Sequence, residues 1–167
     1  MPKTLTKSKM PEIREKAPDF DATDQDGKKI SLKQFKGKTV ILYFYPKDNT
    51  PGCTKEACSL RDRHSTFKKK NVVILGVSKD SEKSHYGFIE KYDLPFSLIA
   101  DIDKKVQMAY GVWQEKSLYG RKFMGTIRTT FVISPEQKIS YVFNKIDCPN
   151  HAEEVLDKLE ELGLTTA

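Results

Sequence analysis

Cys53 is the residue of this 167-residue chain best placed to do chemistry. It lies in the stretch Pro46-Lys-Asp-Asn-Thr-Pro-Gly-Cys-Thr-Lys-Glu-Ala-Cys58, just after a β-branched and aromatic run and at the start of a predicted helix. The opening turn of a helix offers unpaired N–H groups and the positive end of the helix dipole. Both favour a thiolate over a thiol. A free thiol has a pKa of about 8.5, and helix N-termini and nearby cations lower it by one unit or more. Position alone makes Cys53 a candidate nucleophile. The alternative is an inert half-buried cysteine, since Cys is among the most buried residue types.

Cys58 follows five residues later. On a regular helix that spacing gives an offset of about 140° and a rise of about 7.5 Å, so the Cα atoms stand about 8.6 Å apart. A disulfide needs Cα atoms within about 7 Å. Two readings stay open: the pair never bonds, or the first helical turns unwind when it does, as in a redox switch. The spacing is wider than the redox CxxC and than the gaps of about two to four residues common between zinc ligands. The third cysteine, Cys148, precedes Pro149-Asn150-His151 and reads as a bystander at a helix start. His64, His85 and His151 show no ligand spacing and read as ordinary surface or core residues, so no metal is expected. No G-x-S-x-G, P-loop or G-x-G-x-x-G motif points to a cofactor.

The elements that must position Cys53 alternate along the chain. Asp26-Gly27 marks an N-terminal hairpin turn. Residues 39–45, 71–77 and 96–100 are apolar runs of buried strands. Spacings of three and four (Ala57, Leu60, His64, Phe67) predict one helix over 53–69. Helices are predicted over 81–92, with Ser81 as N-cap, over 104–110, closed by Gly111, and over 151–162, stopped by Gly163. Residues 125–133 and 139–143 read as two strands around the turn at Ser134-Pro135. The order predicts an α/β domain, a central mixed β-sheet flanked by helices with at least one antiparallel pair. Trp113, Tyr119 and Phe123 read as core aromatics rather than site residues.

Composition bounds the partners. Hydrophobic residues are 38% and charged residues 31%, too apolar for a disordered chain and too polar for a membrane protein. No apolar run approaches the ~20 residues of a membrane helix, and the N-terminus lacks the apolar stretch of a secretory signal. Three cysteines do not describe a disulfide scaffold, so reduced thiols in the cytoplasm are expected. Half of the net charge of +6 sits in a tail. Residues 1–16 hold Lys3, Lys7, Lys9, Arg14 and Lys16 against Glu12 and Glu15. Residues 1–15 read as poorly ordered and 16–167 as one domain. Lys68-Lys69-Lys70 reads as a solvated helix end, so no nucleic-acid partner is expected.

The loop Pro46-x-x-x-Thr50-x-x-Cys53 resembles the active-site signature of peroxiredoxins, and Thr50-Pro-Gly-Cys-Thr-Lys-Glu-Ala-Cys58 that of their bacterioferritin comigratory protein (PrxQ) subfamily. Tyr110-Gly-Val-Trp-Gln-Glu-Lys116, Tyr119-Gly-Arg-Lys122 and Gly125-Thr-Ile-Arg-Thr-Thr-Phe131 are similar to that subfamily's later motifs. The resemblance spans about residues 11–163. It implies a thioredoxin-like fold and a thiol peroxidase that reduces hydrogen peroxide and organic hydroperoxides. Cys53 matches the peroxidatic residue, which becomes a sulfenic acid. Thr50 matches the residue whose hydroxyl bonds the peroxide and sulfur, and Pro46 the one that shields the pocket. Arg128 matches the arginine that stabilises the thiolate and the developing charge, and Glu56 the residue that orients it. Cys58 matches the resolving cysteine, which implies an intramolecular disulfide reduced by thioredoxin or a similar dithiol protein. Such a cycle needs only a monomer and no cofactor.

Two other classes compete. A disulfide reductase or isomerase would use the same two cysteines on protein substrates, and peroxide consumption separates it from a peroxidase. A basic nucleic-acid-binding module would show salt-dependent retention on DNA, lost on deleting residues 1–16.

Overall fold

The computed structural model describes residues 10–164. Its strands are β1 (Asp21–Thr23), β2 (Lys29–Ser31), β3 (Thr39–Phe44), β4 (Val72–Ser78), β5 (Ser97–Ala100), β6 (Trp113–Leu118), β7 (Arg121–Thr126), β8 (Thr129–Ile133) and β9 (Ile139–Phe143). Its helices are α1 (Pro51–Asp62), α2 (His64–Lys69), α3 (Glu82–Tyr92), α4 (Lys105–Ala109) and α5 (His151–Glu161), with single 3₁₀ turns at Leu32–Phe35 and Cys148–Asn150.

Seven strands form one mixed sheet in the order β2-β1-β5-β4-β3-β8-β9. β3 and β4, and β4 and β5, run parallel, whereas β8 lies antiparallel to β3 and β9. The unbroken apolar run of β3 places it near the centre. Ile41, Tyr43 and Tyr45 enter one core with Cys53, Ala57 and Leu60 of α1, Phe88 of α3 and Val155 of α5. Val40, Leu42 and Phe44 enter the opposite core with Val106 of α4, Tyr110 and Phe131. The period-two alternation of a strand covered on both faces requires apolar residues at every position. Each large apolar side chain so buried contributes roughly 1.5–3 kcal/mol.

The predicted mixed sheet, N-terminal hairpin and flanking helices are present. Gly27 sits at φ +74°, with Asp24 Oδ1 accepting from the N–H groups of Asp26 and Lys28. Ser81 caps α3 by accepting from Ser84 N at 3.1 Å. The basic tail lies outside the described residues up to position 9. Beyond it, Arg14 N donates to Ile139 O at 2.7 Å and Ala17 N to Gln137 O at 2.9 Å.

Three local predictions need correction. The helix over 53–69 is two helices, divided at Arg63 (φ −112°, ψ 13°). It also begins two residues early, because Pro51 has no N–H to satisfy and a fixed φ, which suits the first helical position. Proline also holds the preceding residue extended, and Thr50 is the N-cap at φ −83°, ψ 153°. Second, the strand over 125–133 is broken at Ile127-Arg128, where the chain leaves β7 for the main sheet through Ile127 N→Val112 O at 2.8 Å. Third, β6 and β7 form a separate hairpin whose turn, Tyr119-Gly120, has φ +53° and +77°. Two consecutive positive-φ residues are the demand of a tight hairpin turn. Tyr119 (95% exposed) and Phe123 (45% exposed) lie on this hairpin rather than in the core, and Trp113 is half-buried.

Candidate active site

The loop after β3 carries the chain from the sheet centre into α1. A buried clamp holds it. Tyr45 Oη donates to Asp48 Oδ1 at 2.6 Å, and Ser84 Oγ donates to Asp48 Oδ2 at 2.8 Å. His85 Nδ1 meets the same Oδ2 at 2.8 Å. His85 Nε2 lies 2.9 Å from the Ile99 carbonyl, an acceptor only, so Nε2 bears a proton. Asp48 N donates to Asp80 Oδ2 at 2.8 Å. Ligand atoms of Asp48, Asp80 and His85 fall within 4.8 Å of one another. Each residue has hydrogen-bonded partners within the protein, which suits a clamp on residues 46–50. Sequence reasoning took His85 as ordinary. Only the fold brings it to Asp48, 37 residues away.

Cys53 is the third residue of α1 and is 1% exposed. Arg128, in the break between β7 and β8, points its guanidinium at the sulfur: Nη2 donates to Cys53 Sγ at 3.2 Å. Its Nη1 donates to Glu56 Oε1 at 2.7 Å. Burial works against the Arg128 charge, but Glu56 and then Cys53 outweigh it and hold the guanidinium more basic than usual. Glu56 is fully buried one turn beyond Cys53. Burial pushes its carboxyl from 4.5 up to about 7, with the Arg128 charge opposing.

The structure thus brings three of the predicted residues, Cys53, Arg128 and Glu56, into one hydrogen-bonded chain. Thr50 is close in sequence, but its hydroxyl donates to Lys47 O at 2.9 Å. That bond fixes the rotor and leaves the oxygen's lone pairs as acceptors. Pro46 is half-buried directly after Tyr45. Cys58 is half-buried on the same intact helix as Cys53, and both thiols are free. Cys148 is nearer the centre than a bystander. Its Sγ lies 3.9 Å from where a side chain on Gly52 would begin, and Arg128 Nη2 lies 3.3 Å from that point. Burial pushes the Cys148 thiol up, with Arg128 opposing.

Two residues near the centre carried no sequence signal. Tyr43 is fully buried; burial and then Glu56 push its phenol up, and its hydroxyl has no partner among the described residues. His151, read as an ordinary core or surface histidine, is fully buried with Nε2 3.8 Å from Glu56 Oε2.

A cysteine in the first turn of a helix, delivered by the central strand of a thioredoxin-like sheet and held on a half-buried guanidinium, defines a thiol peroxidase of the peroxiredoxin class. The chain matches the AhpC/TSA family over residues 13–142, and it belongs to that family. It is 42% identical over 152 residues to Peroxiredoxin Bcp of Bacillus subtilis, covering 91% of this chain and 97% of that one. It is 43% identical over 145 residues to Peroxiredoxin Bcp of Escherichia coli, covering 87% and 93%. Among solved structures, a cysteine-to-serine mutant of Xylella fastidiosa PrxQ superimposes with a TM-score of 0.86 at 33% identity, covering 92% of this chain and 98% of that one. Among the described residues no helix is long and apolar enough to cross a membrane.

Proposed function

We propose that Cys53 is the peroxidatic cysteine, reducing hydrogen peroxide and organic hydroperoxides, and that Cys58 resolves it. The observation that carries this reading is the 3.2 Å contact between Arg128 Nη2 and Cys53 Sγ. The thiolate attacks the terminal peroxide oxygen. An S–O bond forms, the O–O bond breaks, and the leaving oxygen departs as water or alcohol after taking a proton. The sulfur is oxidised by two electrons to a sulfenic acid. Negative charge grows on the leaving oxygen, and a fixed guanidinium beside the sulfur stabilises it without reorganisation. Thr50 Oγ, its proton already given to Lys47 O, accepts the peroxide O–H and orients it. Pro46 excludes water from that side, and Glu56 holds Arg128 in aim.

The Cys58 thiolate then attacks the Cys53 sulfur. The S–S bond forms and the sulfenic oxygen leaves as water. A dithiol protein of the thioredoxin type restores both thiols by exchange through a mixed disulfide. Resolution within one chain lets a monomer complete the cycle, and reduced thiols suit the cytoplasm. A solved relative from Xanthomonas campestris, its bacterioferritin comigratory protein, is described for alkyl peroxide reduction activity. It is 34% identical and superimposes with a TM-score of 0.84.

The test is peroxide consumption coupled to thioredoxin and its reductase. Cys53→Ser abolishes turnover, and one equivalent of peroxide yields a Cys53–Cys58 link by mass spectrometry. A fully active Cys53→Ser protein ends this reading. Reduction of protein disulfides without peroxide consumption moves the chain to the reductase class.

A further inference from the structure

Behind Glu56 the hydrogen-bond chain continues away from the sulfur. His151, the first residue of α5, is wholly buried, and Phe143 stands edge-on to its ring at 5.4 Å. Its Nδ1 lies 2.9 Å from Glu154 Oε1, which also accepts from Asp147 N at 3.2 Å. An ionised carboxylate can only accept, so Nδ1 carries the proton and the tautomer is fixed. Neutral His151 therefore presents the lone pair of Nε2 inward, where Thr130 Oγ1 reaches it at 2.8 Å. Glu56 Oε2 stands 3.8 Å from the same Nε2, buried and without a hydrogen-bond partner among the described residues. The Thr130 hydroxyl thus satisfies Nε2, while the buried Glu56 oxygen beside it is left without a proton of its own or a donor, an arrangement costly to leave unsatisfied.

We propose that Glu56 and His151 share a single proton, and that His151 is thereby a positioning residue that sets how much of the Arg128 charge reaches the Cys53 sulfur. The proton resides on Oε2 or on Nε2. In either case the pair passes from −1 to neutral. Arg128 faces two anionic positions, Cys53 Sγ and Glu56 Oε1. Neutralising the second releases guanidinium charge to the first, so the thiolate gains support when the pair is protonated. Linkage is reciprocal: forming the thiolate draws a proton onto the pair.

The other titratable groups facing this pair are few. Tyr43 on β3 is neutral, its phenol pushed well up by burial. Cys148, in the 3₁₀ turn before α5, is also pushed up by burial. Glu154, with a third of its side chain exposed, connects the pair to the surface. It raises the proton affinity of both members, while burial raises Glu56 and lowers His151. The arrangement therefore has one external handle, the Glu154 carboxylate.

The inference rests on Cys53 being the reactive sulfur, so its test reads the sulfur without peroxide. In a Cys58→Ser, Cys148→Ser background the ultraviolet absorbance of the Cys53 thiolate is followed from acid to alkaline pH. His151→Gln keeps a polar side chain whose N–H donates toward Oε2 but takes up no proton. It holds Glu56 ionised and moves the Cys53 midpoint upward by roughly half a pH unit or more. Glu154→Gln keeps an acceptor for Nδ1 and removes the charge. It gives a smaller upward shift that added salt reduces. Should the histidine variant fail to fold, the half-exposed Glu154→Gln decides alone. Midpoints that stay fixed or move downward overturn the proposal. A peroxide rate lowered equally at every pH with an unmoved midpoint also overturns it, since that marks a purely structural role. Normal thiolate titration with no peroxide turnover would instead sink the peroxidase reading.

Discussion

Arg128 reaches the Cys53 sulfur from 75 residues away and holds it at 3.2 Å, while the other arm of the same guanidinium is bound to Glu56 at 2.7 Å. One cation therefore serves two buried acceptors on successive turns of one helix. The pocket's chemistry depends on how that charge is divided.

Replacing Arg128 by Met removes the donor aimed at the sulfur and the developing charge. The rate of Cys53 oxidation by hydrogen peroxide falls by about 10²–10³-fold, the loss typical of removing one preorganised donor. Stopped-flow fluorescence of the single Trp113 provides the measurement, and an unchanged pH–rate profile would remove Arg128 from the mechanism.

Glu56 links the site to stability. Its carboxyl is raised from 4.5 to about 7 by burial. The folded protein therefore binds the proton more tightly than the unfolded chain. The stabilisation is complete below about 4.5 and is lost as pH rises through about 7. That amounts to about 3 kcal/mol across the window, an order-of-magnitude figure from about 1.4 kcal/mol per pKa unit. Urea midpoints recorded at pH values across that range should fall for the native protein and stay flatter for Glu56→Gln. An equally steep fall in both would assign the slope to other groups.

Gly52 lies close to both Arg128 and Cys148. A Cβ added there would stand 3.3 Å from Arg128 Nη2, and the guanidinium must yield by a few tenths of an ångström. Gly52→Ala leaves thermal stability unchanged or slightly higher, because alanine favours a helix. The peroxide rate falls by about 10-fold, a part of the 10²-fold loss that a 1 Å misplacement can bring. A rate equal to that of the native chain would show that Arg128 adapts without cost.

The two cysteines of α1 cannot bond while the helix stands, since an offset of five positions on a helix holds their Cα atoms about 8.6 Å apart. Amide exchange over residues 51–58 should accelerate when the Cys53–Cys58 disulfide forms and return on reduction. Protection retained in a verified disulfide would contradict the helical spacing.

Much of this site is legible in local sequence. The spacing from Pro46 to Cys58 encloses the sulfur, although reading the helix from Cys53 passes over Pro51, which starts α1 two residues earlier. The alternating faces of β3 follow from its apolar run. Other parts are invisible for definite reasons. The β6–β7 hairpin exposes its apolar residues, so it lacks the alternation that marks a strand. Asp48 and His85, or Glu56 and His151, belong to segments with no local reason to meet.

By itself the sequence pointed to Cys53 as a candidate nucleophile at the start of a helix, because caps, prolines and periodicity act over a few residues. It also determined the mixed sheet, through buried runs that must be covered on both faces. The partners of each charge were decided only by tertiary structure. Crossing strands and packing helices set Arg128, Glu56 and His151 within a few ångströms of one another. At that range, in a dry interior, the energy of a proton or a thiolate depends on neighbours that the chain order does not name.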